Sequence, residues 1–304
     1  MKKLLCILLF LCSPIYAEET KLDIPKYLQS ISITINTGSS QGSGVIITRP
    51  VKKDKDAIAE QTNFVLTAAH VINNLRTVRT IIDGSGKTKK VVEFKNPKIV
   101  QTIIENGRTV GRLELDTKVI KFSDAENGED LAILIVTKRD FIKDTTKFLL
   151  TDDIIPIGTK LFHVGSLLGQ EGSNSMTTGI MSQVGRILSL GNSSGVLFDQ
   201  STVTAFPGSS GGGVFLEDGT HIGTLVRGAG ETFNLIVPAR RLNSFLKKNN
   251  MFWLLDPSME VPLLSDINKI PIQDEAKDVE EHRSADSIIE DEETSKNDFP
   301  FLIK

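Results

Sequence analysis

From Ser30 to Val237 the chain alternates short apolar runs with turn residues. Ser30–Asn36 reads SISITIN, apolar at every second position, Ser43–Thr48 reads SGVIIT and Asn63–Thr67 reads NFVLT. Similar runs recur at Thr77–Ile82, Lys90–Phe94, Lys118–Phe122, Leu131–Thr137, Lys160–Val164, Gly179–Leu188, Gly195–Asp199, Gly213–Leu216, Ile222–Val226 and Phe233–Val237. They are rich in Val, Ile, Thr and Phe, and Gly, Asn, Asp and Ser bound them, which is the composition of strands and their turns. Many short strands with few helices predict an all-β sandwich or barrels. One helix is predicted after Pro238, where Leu242, Phe245 and Leu246 repeat at helical spacing and Asn249-Asn250 ends the pattern. The lysine-rich stretch Val51–Ala57 reads as an exposed hairpin tip.

The two ends break this pattern. Met1-Lys2-Lys3 precedes the apolar run Leu4–Leu11 and the sequence CSPIYA at 12–17. A basic start, a short apolar stretch and a small residue before polar sequence form a secretory signal peptide, with cleavage expected after Ala17. The run is too short to span a bilayer, and no later segment is apolar enough to do so. Both cysteines of the chain, Cys6 and Cys12, lie in this segment. A mature chain without cysteine must be held by its core, which fits a bacterial protein exported to the periplasm or the medium rather than a disulfide-rich secreted enzyme. At the other end, residues 251–304 hold 14 acidic and 5 basic side chains. The run Gln273–Glu293 is charged or small with no sustained apolar period, so 256–304 is expected to be an acidic, disordered tail. The domain between the ends is expected to cover 18–255.

Charge adds little more. The 304 residues carry 35 Lys+Arg and 38 Asp+Glu, a net of −3, which makes no electrostatic case for nucleic-acid binding. The tail accounts for −9 and leaves residues 18–250 at +4. The tail either solubilises the protein, covers a basic face of its own domain, or meets a protein partner. No metal site and no cofactor is expected, because the four histidines are scattered and no cysteine survives export.

Three places carry chemistry. His70 ends the strand-like run in LTAAH, where small alanines let the backbone pack while the imidazole points outward. Alone, such a histidine is more often structural, and His163, His221 and His282 are read that way. Asp130 stands at the mouth of the apolar strand LAILIV, where a buried carboxylate needs a partner such as an imidazole N–H. Glu129 faces the opposite way on a strand, and a turn-capping aspartate is the plainer alternative. Gly208-Ser209-Ser210-Gly211-Gly212-Gly213 flanks serine with glycines, which permits a tight turn and lets successive N–H groups converge on one spot. A phosphate loop is disfavoured, since no lysine follows the glycines and the next element looks like a strand. A plain flexible loop also remains open.

Taken in the order His, Asp, Ser in an all-β chain, these segments resemble the trypsin-like, chymotrypsin-fold serine proteases. The bacterial high-temperature-requirement (Deg) branch is the nearest in pattern. The carriers are GSGVII at 42–47, LTAAHVI at 66–72, EDLAILIV at 129–136, PGSSGGGVF at 207–215 and NLIVPARRL at 234–242. The resemblance implies two six-stranded antiparallel β-barrels with the site in the cleft between them. It implies His70 as general base, Asp130 as its orienting acid, Ser210 as nucleophile, and an oxyanion hole at Gly208, Ser209 and Ser210. The protein would be an exported endopeptidase acting on proteins or peptides. The alternatives are a catalytically silent binding or scaffold protein on the same fold, and an ester hydrolase, which the chain order of the three residues opposes. Ser209 replaces the usual Asp or Asn, Gly212-Gly213 replaces Gly-Pro, and the acidic segment after 250 is not the PDZ domain of the Deg branch.

The resemblance also implies a primary pocket with Thr204 at its base and walls from Val226, Arg227, Gly228 and the region of Asn234. No carboxylate sits at the base, so a small or medium uncharged side chain is expected there. A role for His221 in meeting an acidic side chain is the lesser alternative.

Overall fold

A computed structural model describes residues 22–273, except 83, 85, 87, 107, 189–194 and 229–231. The expected signal segment with Cys6 and Cys12, and the acidic stretch 274–304, lie outside those residues.

The helix α1 (Ile24–Ser30) opens the described chain, with Asp23 accepting from the Lys26 N–H at 3.3 Å as its cap. The strands β1 (Ser32–Asn36), β2 (Gln41–Val51) and β3 (Glu60–Thr67) form an antiparallel meander. After α2 (Ala69–Ile72), β4 (Arg76–Ile82) and β5 (Thr88–Phe94) pair only with each other as a separate ribbon. Then β6 (Lys98–Glu105), β7 (Arg108–Ser123) and β8 (Leu131–Val136) complete a closed barrel of order β1-β2-β3-β8-β7-β6. The continuous apolar run of β8 is buried along its whole length, as a strand held between two neighbours and covered on both faces must be.

The second half contains β9 (Lys147–Phe148), β10 (Lys160–Leu167), β11 (Gly172–Leu188), β12 (Val196–Ser201), β13 (Gly213–Phe215), β14 (Thr220–Gly228) and β15 (Asn234–Pro238). Six of these form the ring β13-β10-β11-β12-β15-β14, closed by the β13–β14 pairing, and β9 adds in parallel to β14. The expected all-β fold of two six-stranded barrels is therefore present. The second barrel has its own core of Leu161, Met181, Val203, Val214, Ile222, Leu225 and Ile236. Between the barrels, the buried hydroxyls of Thr34 and Ser166 meet at 2.5 Å. The predicted helix is α3 (Ala239–Lys248), which buries Leu242, Phe245 and Leu246. It ends where Asn249 Nδ2 donates to the Phe245 carbonyl at 2.8 Å.

The boundary expected at 255 is corrected. Residues 256–273 return to the first barrel as a packed strap. Trp253 meets Phe64 edge-on at 5.5 Å. The buried Arg49 guanidinium donates to the carbonyls of Asp256 (2.7 Å) and Met259 (2.8 Å). Within the strap, α4 (Leu264–Ile267) buries Ile267. The Leu264 N–H donates to Lys52 O at 2.9 Å, and the Phe122 N–H to Ile272 O at 2.7 Å. Pro257, Pro262 and Pro271 erase any strand or helix period here, so the segment reads as loose although its backbone is anchored. Among the described residues no helix is long and apolar enough to cross a membrane.

Candidate active site

The strand β3 delivers His70. Thr67, Ala68 and Ala69 are fully buried behind it, and the Ala69 N–H donates to the Asp130 carbonyl at 3.2 Å. A larger residue at 68 or 69 would displace this packed backbone. The His70 side chain stays 28% exposed.

Asp130 closes the loop before β8 and is 2% exposed. Its φ of 54° is the left-handed conformation, which Asp tolerates better than most residues. The loop is built to hold it. The Asp124 carboxylate accepts from the N–H groups of Glu126 (2.8 Å) and Asn127 (3.1 Å), and Ser123 Oγ accepts from the Glu129 N–H at 2.8 Å. Glu129, turned away from the cleft, pairs with Arg241 of α3 at 2.6 Å, and Arg241 also donates to Leu197 O at 2.8 Å. The second half of the chain thus braces the loop that carries Asp130. The result is an Asp130 carboxylate 3.0 and 3.1 Å from His70 Nδ1, with one oxygen also accepting the His70 backbone N–H at 3.0 Å.

Ser210 stands on the loop before β13. Phe206, Pro207, Gly208 and Ser209 form a turn in which the Ser209 N–H donates to Phe206 O at 2.9 Å. Proline at the second place and a φ of 97° at Gly208 make it type II. The Gly211 N–H is used by Leu225 O (2.7 Å) and the Gly212 N–H by Ser209 O (3.0 Å). Within residues 206–212, the N–H groups of Gly208 and Ser210 are the ones with no partner among the described residues. Ser209 is fully buried, and its Oγ accepts from the Phe206 N–H at 3.1 Å. A hydroxyl therefore braces the loop from inside. Ser210 lines one cleft together with His70 and Gly208. No hydrogen bond joins the Ser210 and His70 side chains in this conformation.

Residues 42–223 match the trypsin-like peptidase domain. The chain belongs to the trypsin-like peptidase family. Among solved structures, Deg5 is 18% identical with a TM-score of 0.50, over 76% of this chain and 92% of its own. An inactive form of Rv3671c from M. tuberculosis H37Rv is 14% identical with a TM-score of 0.50, over 79% of this chain and 93% of its own. At such identities the likeness speaks for the fold. No curated protein sequence matches the chain.

In this trypsin-like peptidase the structure brings His70, Asp130 and Ser210 together and corrects several neighbours. Ser209 was expected among the oxyanion donors, but its N–H is spent on the Phe206 carbonyl. Thr204 and Val226 do not line the cleft. Thr204 is drawn to β11, its carbonyl accepting from Thr177 Oγ1 at 2.9 Å, and Ala205 takes the wall position instead. Val226 sits at the bulge between Leu225 and Arg227 and packs into the core. Arg227, Gly228 and Asn234 do line the cleft, joined by Leu225. His221 is fully buried between Phe148 and Phe215 and does not line the cleft.

Ser43 was missed. Its hydroxyl donates to the Gly208 carbonyl at 2.7 Å and accepts the Ser166 N–H at 2.8 Å, while its own N–H donates to Ser210 O at 2.7 Å. One residue of the first barrel thereby holds both ends of the oxyanion turn. The motif GSG at 42–44 was the visible signal, but a role for its serine exists only once the barrels meet.

Proposed function

We propose that this chain is an exported serine endopeptidase that hydrolyses peptide bonds through His70, Asp130 and Ser210. The observation that carries the reading is Asp130 on His70 Nδ1 at 3.0 Å, in a cleft where Ser210 lies beside two unspent N–H groups. With Nδ1–H given to Asp130, the other ring nitrogen, Nε2, is left as the base. As substrate enters, Ser210 Oγ comes within reach of Nε2, a contact that in empty sites is often long and tightens only with substrate. Nε2 takes the hydroxyl proton as Oγ attacks the scissile carbonyl, and Asp130 stabilises the imidazolium. The N–H groups of Gly208 and Ser210 bind the oxyanion. His70 then protonates the leaving amine, and water hydrolyses the acyl-enzyme by the same path.

Export rests on the basic start and apolar run of residues 1–17, and places the mature chain in a bacterial periplasm or outside the cell. Mass analysis of protein recovered outside the cytoplasm, expected to begin at Glu18, tests it. For catalysis, a fluorophosphonate probe should leave one adduct on Ser210 that is lost in Ser210→Ala and His70→Ala. A folded wild-type chain that takes no adduct would instead be a silent binding protein on this fold.

A further inference from the structure

The cleft holds a cation that no described residue neutralises. Arg227 lies near the end of β14 and lines the cleft with His70, Gly208 and Ser210. Among the described residues lining the cleft, it is the only one with a formal charge other than the imidazole of His70. Its Nε is shut off from solvent and makes no hydrogen bond. Among the described residues, no carboxylate, carbonyl or aromatic ring is paired with its guanidinium. Other arginines of this chain are answered: Arg240 by Asp199, Arg241 by Glu129, Arg76 by Asp124 and Arg49 by two carbonyls. Removing part of a guanidinium from water without a partner is unfavourable, and the group that best compensates is a carboxylate, which can take its planar fork at two points.

The position suits a ligand rather than a structural pair. The strand β13 covers one edge of β14 only as far as Thr224. Beyond it, Leu225, Arg227 and Gly228 face the cleft opposite Phe206-Pro207-Gly208. Asn234, fully buried and donating its amide to Val203 O at 2.7 Å, lies between these walls and brings no charge. A peptide held with its carbonyl at Ser210 therefore passes its side chains along a wall whose fixed charge is Arg227.

Resting on the peptidase reading above, we infer that Arg227 makes this cleft select peptides carrying an aspartate or glutamate side chain beside the bond to be cut. This replaces the small or medium uncharged side chain expected from the absence of a carboxylate at the pocket base. That expectation took the specificity from the base position alone and gave no weight to the charge of Arg227, which it had already placed on the wall.

The test uses the full mature chain and two peptides that differ only in Glu against Gln. Wild type should cut the Glu peptide with a kcat/KM about tenfold to a hundredfold above the Gln peptide, the range for a hydrogen bond to a charged group. The ratio should shrink as salt is raised. Arg227→Gln should bring it close to one, Arg227→Lys should keep part of it, and Arg227→Glu should turn the preference toward a Lys peptide. Equal cutting of both peptides by wild type, or a preference that survives Arg227→Gln, overturns the inference and leaves the peptidase reading standing. Binding of the same peptides to Ser210→Ala, with and without Arg227→Gln, is measured in parallel by fluorescence polarisation. If wild type cuts neither peptide but Ser210→Ala still binds the Glu peptide more tightly through Arg227, catalysis falls and the carboxylate site stands. Binding of neither peptide overturns the inference as well.

Discussion

Asp130 holds His70 at two points, its backbone N–H at 3.0 Å and its ring Nδ1 at 3.0 and 3.1 Å, so one carboxylate sets both the main chain and the tautomer of the base. Asp130→Asn keeps the shape and tolerates the φ of 54°, but its NH₂ group would face Nδ1. The fall in kcat should be about 10⁴, as for triads whose aspartate becomes an amide, with little change in KM. Steady-state kinetics beside a melting curve checks this. A loss under about tenfold would detach His70 from its aspartate.

Gly208 is the residue of the oxyanion turn that cannot carry a side chain. A β-carbon there would collide with the Ser166 carbonyl and approach the Gly169 nitrogen at 2.7 Å, on a backbone with φ of 97°. Gly208→Ala should therefore turn its N–H away from the cleft. The cost expected for one lost donor is about 10² to 10³ in kcat. Fluorophosphonate labelling of Ser210 should slow in parallel, and the backbone clash should lower the melting temperature as well.

The second barrel encloses two neutral histidines. Burial pushes the His163 pKa down to about 4, against the opposing effect of its Nδ1 contact with Gly213 O at 2.9 Å. Burial pushes His221 down to about 3, and neither of its ring nitrogens reaches a partner on another residue. Unfolding restores both to about 6.5, so the unfolded chain binds the extra protons. Their stabilising effect is complete above about pH 6.5 and is lost as pH falls toward the folded values. Melting temperature should drop steadily from pH 7 to 4. His221→Phe, which fits the contacts with Phe148 and Phe215, should recover on the order of 3 kcal/mol of that acid loss. An unchanged pH profile in this variant would show that His221 does not drive it.

The strap 256–273 should prove structural. A chain ending at 255 would leave the Arg49 guanidinium without its two carbonyls and uncover the apolar surface under Ile267. It should melt well below a chain ending at 273, which keeps every contact described here. Ile267→Ala, at a fully buried site, should lower stability by about 2–5 kcal/mol. Urea unfolding of the three proteins decides this, and equal midpoints would mean the strap only rests on the barrel.

Much of this protein was legible along the chain because strands and turns are local. SISITIN, SGVIIT and LAILIV follow directly from apolar spacing, and α3 follows from Leu242, Phe245 and Leu246. The segments around His70, Asp130 and Ser210 could also be picked out, since small residues or glycines flank His70 and Ser210 and an apolar strand follows Asp130. Other elements carried no local mark. β6 and β9 were not anticipated, and the strap hid behind its prolines, because its order comes from Arg49, Lys52 and Phe122, which are far away in sequence.

What tertiary structure alone decided is how partners distant in sequence share hydrogen bonds and charge. The two N–H groups left free at 208 and 210 depend on which carbonyls took the others. The brace of Arg241 on Glu129, and of Ser43 on Gly208, exists only where the two barrels meet. The resemblance already put Arg227 on a pocket wall, but only the fold shows that it lines the cleft without a counter-ion among the described residues. A chain's own residues determine its strands and the identity of its reactive groups. Whether a polar atom is spent or free is a property of every neighbour at once, and that is set by packing.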